Sequence, residues 1–277
     1  MNLQSKVALN NGVEIPWVGL GVFQSEPGPE TQRAVEWALE LGYRHIDTAA
    51  FYQNEESVGR ALKASGIPRD EVFVTTKVWN NNQGYDEALA AFDRSLKNLG
   101  MDTVDLYLVH WPIEKKRLQT WKALEKIYEE GRARAIGVSN FLVHHLEELA
   151  EHSGIVPAVN QVEFHPFLLQ KELLDYDHEH GIRHEAWSPL TRARLWDDPV
   201  IDRIAAAHEK SRAQVLLRWD LQHGVVTIPK SVHRDRIEEN SKLFDFELTD
   251  GEMAQLDALD RSERIGPDPD QMARQSG

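Results

Sequence analysis

The stretch Val104-Asp105-Leu106-Tyr107-Leu108-Val109-His110, followed by a helical segment at Leu118–Glu130, Gly131 and then Ala133-Arg134-Ala135-Ile136-Gly137-Val138-Ser139, decides the fold. Two runs rich in β-formers flank one segment of helical period, the pattern of a strand, a crossover helix and a second, parallel strand. The same alternation extends in both directions. Upstream lie strand candidates at Val18–Val22, His45–Thr48 and Val72–Val78, and downstream at Val156–Val162, Ile182–Ser188 and Val225–Pro229. Helical segments fall between them at Pro29–Leu41, Glu55–Ala64, Tyr85–Leu99, Leu142–His152, Lys171–His180 and Val200–Gln222, the last expected to divide near Lys210-Ser211. Gly42, Gly66, Gly100, Gly131 and Gly181 each follow a helical segment, where a left-handed C-terminal cap is expected. Eight such units predict a TIM (β/α)8 barrel of the α/β class, and 277 residues suit one barrel of that kind.

Around this repeat, Val7-Ala8-Leu9, Asn10-Asn11-Gly12 and Val13-Glu14-Ile15 predict an N-terminal β-hairpin about an Asn-Gly turn. Thr249-Asp250-Gly251-Glu252 reads as a capping box opening a helix over Met253–Leu259. No Ser/Gly-rich linker divides the chain, so residues 1–277 read as a single domain. The stretch 261–277, rich in Pro and Asp after Ile265, is expected to be a loose tail.

Composition removes several functions. A net charge of −14 repels phosphate backbones and anionic lipid alike, against nucleic-acid or membrane-surface binding. The absence of Cys excludes disulfides, thiolate zinc sites and cysteine nucleophiles. The polar residues at Met1 to Lys6 do not resemble a signal peptide, no stretch reaches the length of a membrane span, and a cytoplasmic protein is the default expectation. No surface stripe calls for a partner, so a monomer is expected.

A parallel barrel builds its site on the loops after the strand C-termini. Those positions carry Asp47 and then Tyr52 after the second strand, Lys77 and then Trp79 at the third, and His110-Trp111-Pro112 at the fourth. Each has an ordinary explanation alone: a helix cap, loop filler, a snorkelling lysine, a satisfied core histidine. Four proton-handling side chains converging on one mouth mark a catalytic centre instead.

These segments resemble the signatures of the aldo-keto reductase family. The match is carried by Gly42-Tyr43-Arg44-His45-Ile46-Asp47-Thr48-Ala49 with Tyr52 and Asn54-Glu55, by Leu106–Pro112, by Gly137-Val138-Ser139-Asn140-Phe141, by Asn160-Gln161-Val162-Glu163-Phe164-His165-Pro166 and by Ile228-Pro229-Lys230-Ser231, in family order. Within the family, the chain most resembles the bacterial branch that includes the 2,5-diketo-D-gluconate reductases. The resemblance implies NADPH-dependent reduction of aldehydes and ketones, with Asp47, Tyr52, Lys77 and His110 as the catalytic tetrad. Hydride addition builds negative charge on the carbonyl oxygen, which calls for a proton donor there. Tyr52 is that donor, Lys77 is expected to favour its phenolate, Asp47 to keep Lys77 charged, and His110 to orient the carbonyl.

The resemblance further implies that Ser139, Asn140 and Gln161 bind the nicotinamide carboxamide and that Trp187 stacks on its ring. Ser188 and Leu190 fall on the diphosphate side. Lys230, Ser231, Val232 and Arg236 fall at the 2′-phosphate, where two cations suit a dianion, and Glu239 and Asn240 at the adenine. Phe23, Trp79 and Trp111 would wall the pocket for a small carbonyl, dicarbonyl or keto-sugar substrate. No metal is called for. A metal-dependent hydrolase built on His45, Asp47, His110 and His165 would leave Tyr52 and Lys77 idle, and a Schiff-base aldolase needs a lysine that Asp47 does not hold charged. The family pattern breaks at Thr191-Arg192-Ala193-Arg194, in the loop that also holds Trp196; Arg192 and Arg194 either pair with the diphosphate or face water.

Overall fold

The fold is taken from a computed structural model that describes residues 1–195 and 197–274; Trp196 and residues 275–277 lie outside the described residues. Eight parallel strands follow one another around the sheet in chain order. They are β3 (Leu20–Gly21), β4 (His45–Asp47), β5 (Phe73–Val78), β6 (Val104–Val109), β7 (Ala133–Ser139), β8 (Val159–Glu163), β9 (Arg183–Trp187) and β10 (Val226–Thr227). Parallel bridges Val18↔Thr227 and Gly21↔Lys230 join the first strand to the last and close the barrel. A side chain at Gly21 would meet the Ile228 carbonyl oxygen at 2.8 Å, so glycine permits this approach. Pairing across the seam runs through single bridges, which is why β3 and β10 have two residues each rather than the spans Val18–Val22 and Val225–Pro229.

The hairpin forms ahead of the barrel, with β1 (Lys6–Ala8) antiparallel to β2 (Glu14–Pro16) and Val7 opposite Ile15. Its Leu9 and Ile15 are buried among Phe73, Leu106, Leu108 and Val226. The hairpin therefore plugs the N-terminal end of the barrel and leaves the opposite mouth for chemistry.

The outer layer comprises α1 (Pro29–Glu40), α2 (Glu55–Ser65), α3 (Tyr85–Leu99), α4 (Arg117–Glu129), α5 (Val143–His152), α6 (Lys171–Glu179), α7 (Pro199–His208) and α8 (Arg212–Gln222). The five helix-end glycines all take positive φ; Gly100, at +66°, donates its N–H to the Lys97 carbonyl. Ser211 caps α8 reciprocally with Gln214, at the division expected near Lys210-Ser211. Two more helices follow, α9 (Arg234–Ser241) and α10 (Asp250–Asp257), the latter opened by the Thr249/Glu252 capping box.

The expectation of a loose tail is corrected for residues 261–274. The Ile265 and Gly266 N–H groups donate to Glu163 Oε1 and Oε2 at 2.6 and 3.0 Å, and Glu263 N–H donates to the Phe167 carbonyl at 3.0 Å. A last short helix, α11 (Pro269–Arg274), buries Pro269 and Ala273. Its Asp270 Oδ1 lies 3.1 Å from His144 Nε2 and 3.3 Å from His145 Nε2. This His-His-Asp group has the spacing of a metal site, but Leu142 N–H donates to His145 Nδ1, so the neutral ring carries its proton on Nε2, toward Asp270. Burial, with His144 and Arg117 adding to it, drops the His145 pKa to about 3 and keeps that ring neutral. The group is a hydrogen-bonded clasp between α5 and α11.

Burial pushes the Glu163 carboxyl up, but hydrogen bonds from His165, Ile265 and Gly266 more than reverse this and hold it below its ordinary value. Glu163→Ala removes an acceptor whose charged hydrogen bonds contribute about 1.5–3 kcal/mol each. The Ile265 and Gly266 amide protons are expected to exchange at least about tenfold faster in that variant, with Val109 unchanged. Unchanged exchange at 265 and 266 would show that other contacts hold the segment.

Candidate active site

The mouth at the C-terminal ends of the strands opens into a chamber of about 500 Å³. Asp47 ends β4 and Lys77 is the fifth residue of β5; both side chains are buried, Lys77 completely. Lys77 Nζ donates to Asp47 Oδ1 and Oδ2 at 2.6 and 2.8 Å and to the Thr48 carbonyl at 2.9 Å, and it lies 3.3 Å from the Tyr52 hydroxyl. Tyr52 closes a short turn, Ala50–Tyr52, after which Gln53 takes a φ of +58°. The buried pair Thr48 and Asn54 braces that turn: Thr48 Oγ1 donates to Asn54 Oδ1 at 2.8 Å, and Asn54 Nδ2 donates to the Val22 carbonyl. His110, just past β6, places its ring edge-on to Tyr52 with centroids 5.8 Å apart. The four residues read as a tetrad therefore converge.

Their electrostatics follow from burial. Burial alone would push the Lys77 ammonium down, but the raising effects, led by the Asp47 carboxylate that accepts two of its hydrogen bonds, outweigh it, so Lys77 stays charged. Burial also dominates at Tyr52 and raises the phenol; the Lys77 charge opposes this, and the Asp47 charge adds to it. Here the sequence expectation of a phenol acidified by Lys77 is revised: Lys77 lowers Tyr52, but not enough to offset burial. His110 is driven well below its ordinary value by burial and then by Lys77, which makes it a neutral imidazole, and its Nδ1 has no hydrogen-bond partner.

The residues assigned to the nicotinamide end lie on the same rim. Ser139 Oγ donates to the Gln161 carbonyl at 2.6 Å, Asn140 Nδ2 donates to the His110 carbonyl, and Trp187 Nε1 donates to Asn140 Oδ1 at 2.9 Å. Asn140 holds a φ of +63° and Ser188 one of +52°, so the backbone turns sharply after both β7 and β9. Ser188 and Leu190 line the chamber beside Trp187, and Lys230 reaches it from beyond β10. Ser231, Val232, Arg236, Glu239 and Asn240 do not line the chamber; they run from the end of β10 into α9, where Glu239 accepts from Ser211 Oγ at 2.6 Å.

Phe23, Trp79 and Trp111 supply the apolar wall. The sequence reading missed Phe51, which stacks on Trp79 at 3.8 Å between centroids, and Pro267 and Met272, which the folded-back C-terminal segment brings to the chamber. Phe51 stands one residue before Tyr52 and was the signal available; the other two lie more than a hundred residues beyond β8. Arg192 is exposed, as one of the two sequence alternatives had it, and its guanidinium also sits 5.4 Å from the centre of the Phe23 ring at the edge of the chamber. Arg194 is exposed.

Among the described residues no helix is long and apolar enough to cross a membrane. The family model described as "Aldo/keto reductase family" matches residues 18–261. The chain is 58% identical over 271 residues to glyoxal reductase of Bacillus subtilis, covering 98% of each sequence. It is 54% identical over 267 residues to 9,11-endoperoxide prostaglandin H2 reductase of Trypanosoma cruzi, covering 95% of this chain and 94% of that protein. A mutant of Gox0644 solved in complex with NADPH superposes with a TM-score of 0.92 at 42% identity, covering 96% of this chain and 98% of that one. With a parallel barrel whose mouth gathers Asp47, Tyr52, Lys77 and His110, and a family match spanning most of its length, the chain belongs to the aldo/keto reductase family.

Proposed function

We propose that the protein reduces small aldehydes, ketones, dicarbonyls or keto-sugars to alcohols, taking hydride from NADPH and a proton from Tyr52. The observation that carries this reading is the Lys77 ammonium, bonded to Asp47 and 3.3 Å from the Tyr52 hydroxyl at the floor of an aromatic-walled chamber. Tyr52 is protonated at neutral pH because burial raises it, so it arrives with the proton to give. Lys77 then stabilises the phenolate that remains, and Asp47 keeps Lys77 charged. The neutral His110 ring orients the carbonyl oxygen by hydrogen bonding, without carrying a charge that would compete with Lys77.

The donor set fits a phosphorylated dinucleotide. Exposed Lys230 and Arg236 bring two cations to the N-terminal end of α9, where unpaired backbone N–H groups favour an anion. Lys230, Ser231, Val232 and Arg236 would hold the 2′-phosphate, Glu239 and Asn240 the adenine, and Ser188 and Leu190 the diphosphate side. Ser139, Asn140 and Gln161 would hold the carboxamide and Trp187 the ring. When bound, NADPH supplies the hydride. The relative named glyoxal reductase supports a small dicarbonyl as substrate, and the NADPH complex of Gox0644 supports the cofactor.

The test is kcat/KM with NADPH and with NADH over a panel of aldehydes, α-diketones and keto-sugars. A preference for NADPH is expected. Replacing Lys230 by Glu should cut kcat/KM for NADPH about 10–100-fold, the loss of a charged hydrogen bond, and change that for NADH less than about threefold. Equal use of both cofactors by the wild type would overturn the 2′-phosphate assignment.

A further inference from the structure

Beneath the tetrad lies a carboxyl group that the mechanism above does not use. Glu185 stands in the middle of β9, fully buried against Gln161 of β8. Gln161 Nε2 donates at 2.8 Å to Glu185 Oε2 and, with its other hydrogen, at 2.8 Å to Asp47 Oδ2. Both hydrogens of the Gln161 amide therefore point into the barrel. The reverse orientation would set Gln161 Oε1 against the charged Asp47 carboxylate, so the assignment of the two amide atoms follows from chemistry. With the NH2 group engaged, Oε1 is the Gln161 atom able to accept from a ligand in the chamber, which Gln161 lines.

We propose that Glu185 is a positioning residue for the nicotinamide end of the cofactor, fixing the Gln161 amide so that its Oε1 is presented to a carboxamide N–H. The proposal rests on the reading of Gln161 as a carboxamide contact. Without Glu185, Asp47 alone would restrain the Gln161 amide and the second amide hydrogen would lose its acceptor. Glu185 and Asp47 hold Gln161 from two sides, which restricts rotation about its terminal bond.

The groups facing Glu185 explain why it can sit there. β4 contributes His45, whose Nε2 is 3.7 Å from Glu185 Oε1, and Asp47; β5 contributes Lys77, and Thr75, whose Oγ1 lies 3.3 Å from His45 Nε2. β8 contributes Gln161, and the neighbouring β10 is the uncharged pair Val226-Thr227. Burial first, and then the Asp47 charge, push the Glu185 carboxyl up to about 8, so at neutral pH it is an uncharged acid beside a charged one. Burial, with Lys77 adding to it, likewise lowers His45 to about 3, so that ring is neutral. A carboxyl whose folded pKa is raised stabilises the fold fully only below its unfolded value near 4.5. That contribution is lost as pH rises toward about 8.

The test compares binding of NADPH with that of its reduced 3-acetylpyridine analogue, which has a methyl group in place of the carboxamide NH2, by quenching of protein fluorescence. The wild type is expected to favour NADPH at least about tenfold, the worth of one well-placed hydrogen bond to a ligand. Gln161→Leu and Glu185→Leu should each reduce that ratio to less than about threefold while leaving affinity for the analogue nearly unchanged. A ratio unaffected by Gln161→Leu sinks the carboxamide reading itself. A ratio lost in Gln161→Leu but kept in Glu185→Leu sinks the positioning role alone. If Glu185→Leu does not fold, Glu185→Gln decides. Its own Oε1 can accept the Gln161 N–H, so the ratio should persist, while the fall in Tm expected of the wild-type apoprotein between pH 5 and 8 should flatten. Loss of the ratio in Glu185→Gln overturns the proposal, and a Tm profile parallel to that of the wild type overturns the protonated state given to Glu185.

Discussion

Tyr52→Phe is expected to lower kcat for carbonyl reduction by about 10²–10⁴-fold, the usual worth of a positioned general acid. NADPH affinity should stay within about twofold. The substitution removes one hydroxyl and keeps the ring, so the packing of Tyr52 on Phe23 at 5.0 Å and edge-on to His110 survives. Only the hydroxyl lies within hydrogen-bond distance of Lys77. The loss should appear in kcat and kcat/KM together, because the proton is handed over in the transition state and contributes nothing to holding the ground state. A kcat within tenfold of the wild type would show that another group, with the Lys77 ammonium the nearest, delivers the proton.

Lys77→Met should combine a comparable fall in kcat with a loss of stability of roughly 3–5 kcal/mol, the typical cost of breaking a buried ion pair from one side. Asp47, 2% exposed, would retain Gln161 Nε2 as its hydrogen-bond donor but lose the ammonium that contacts both of its oxygens. Tyr52 would lose the stronger of the two charges that favour its phenolate, leaving Arg192 alone against burial and Asp47. The double variant Asp47→Asn with Lys77→Met separates the two effects: it should recover much of the stability, since no unpaired charge stays buried, and none of the activity. Urea unfolding and single-turnover NADPH oxidation measure the two. A single variant as stable as the wild type would show that the barrel floor is better hydrated than its burial indicates.

The barrel and the meeting of Asp47, Tyr52, Lys77 and His110 at its mouth were legible because both are written in local pattern. The strand-helix period and the glycines at helix ends depend on residues within one turn of each other, and Asp47, Lys77 and His110 sit at or just past strand ends wherever the strand boundaries are drawn to within a residue or two. Three features were not legible, each for a physical reason. Helix α9 buries only Ile237 and Asn240, so its sequence carries no apolar stripe. The C-terminal segment is fixed by Glu163, about a hundred residues away, and nothing in a Pro- and Asp-rich stretch signals a distant acceptor. The net direction of the Tyr52 shift depends on how deeply the phenol is buried against how close one ammonium comes, and spacing in the sequence gives neither.

The hairpin that seals the far end of the barrel has a consequence for traffic. With Leu9 and Ile15 wedged into that end, the described residues leave the chamber its opening at the other mouth, and what enters there is expected to go out the way it came. Two ligands sharing a room of about 500 Å³ are then expected to leave in the reverse of the order in which they came, the more deeply seated one last.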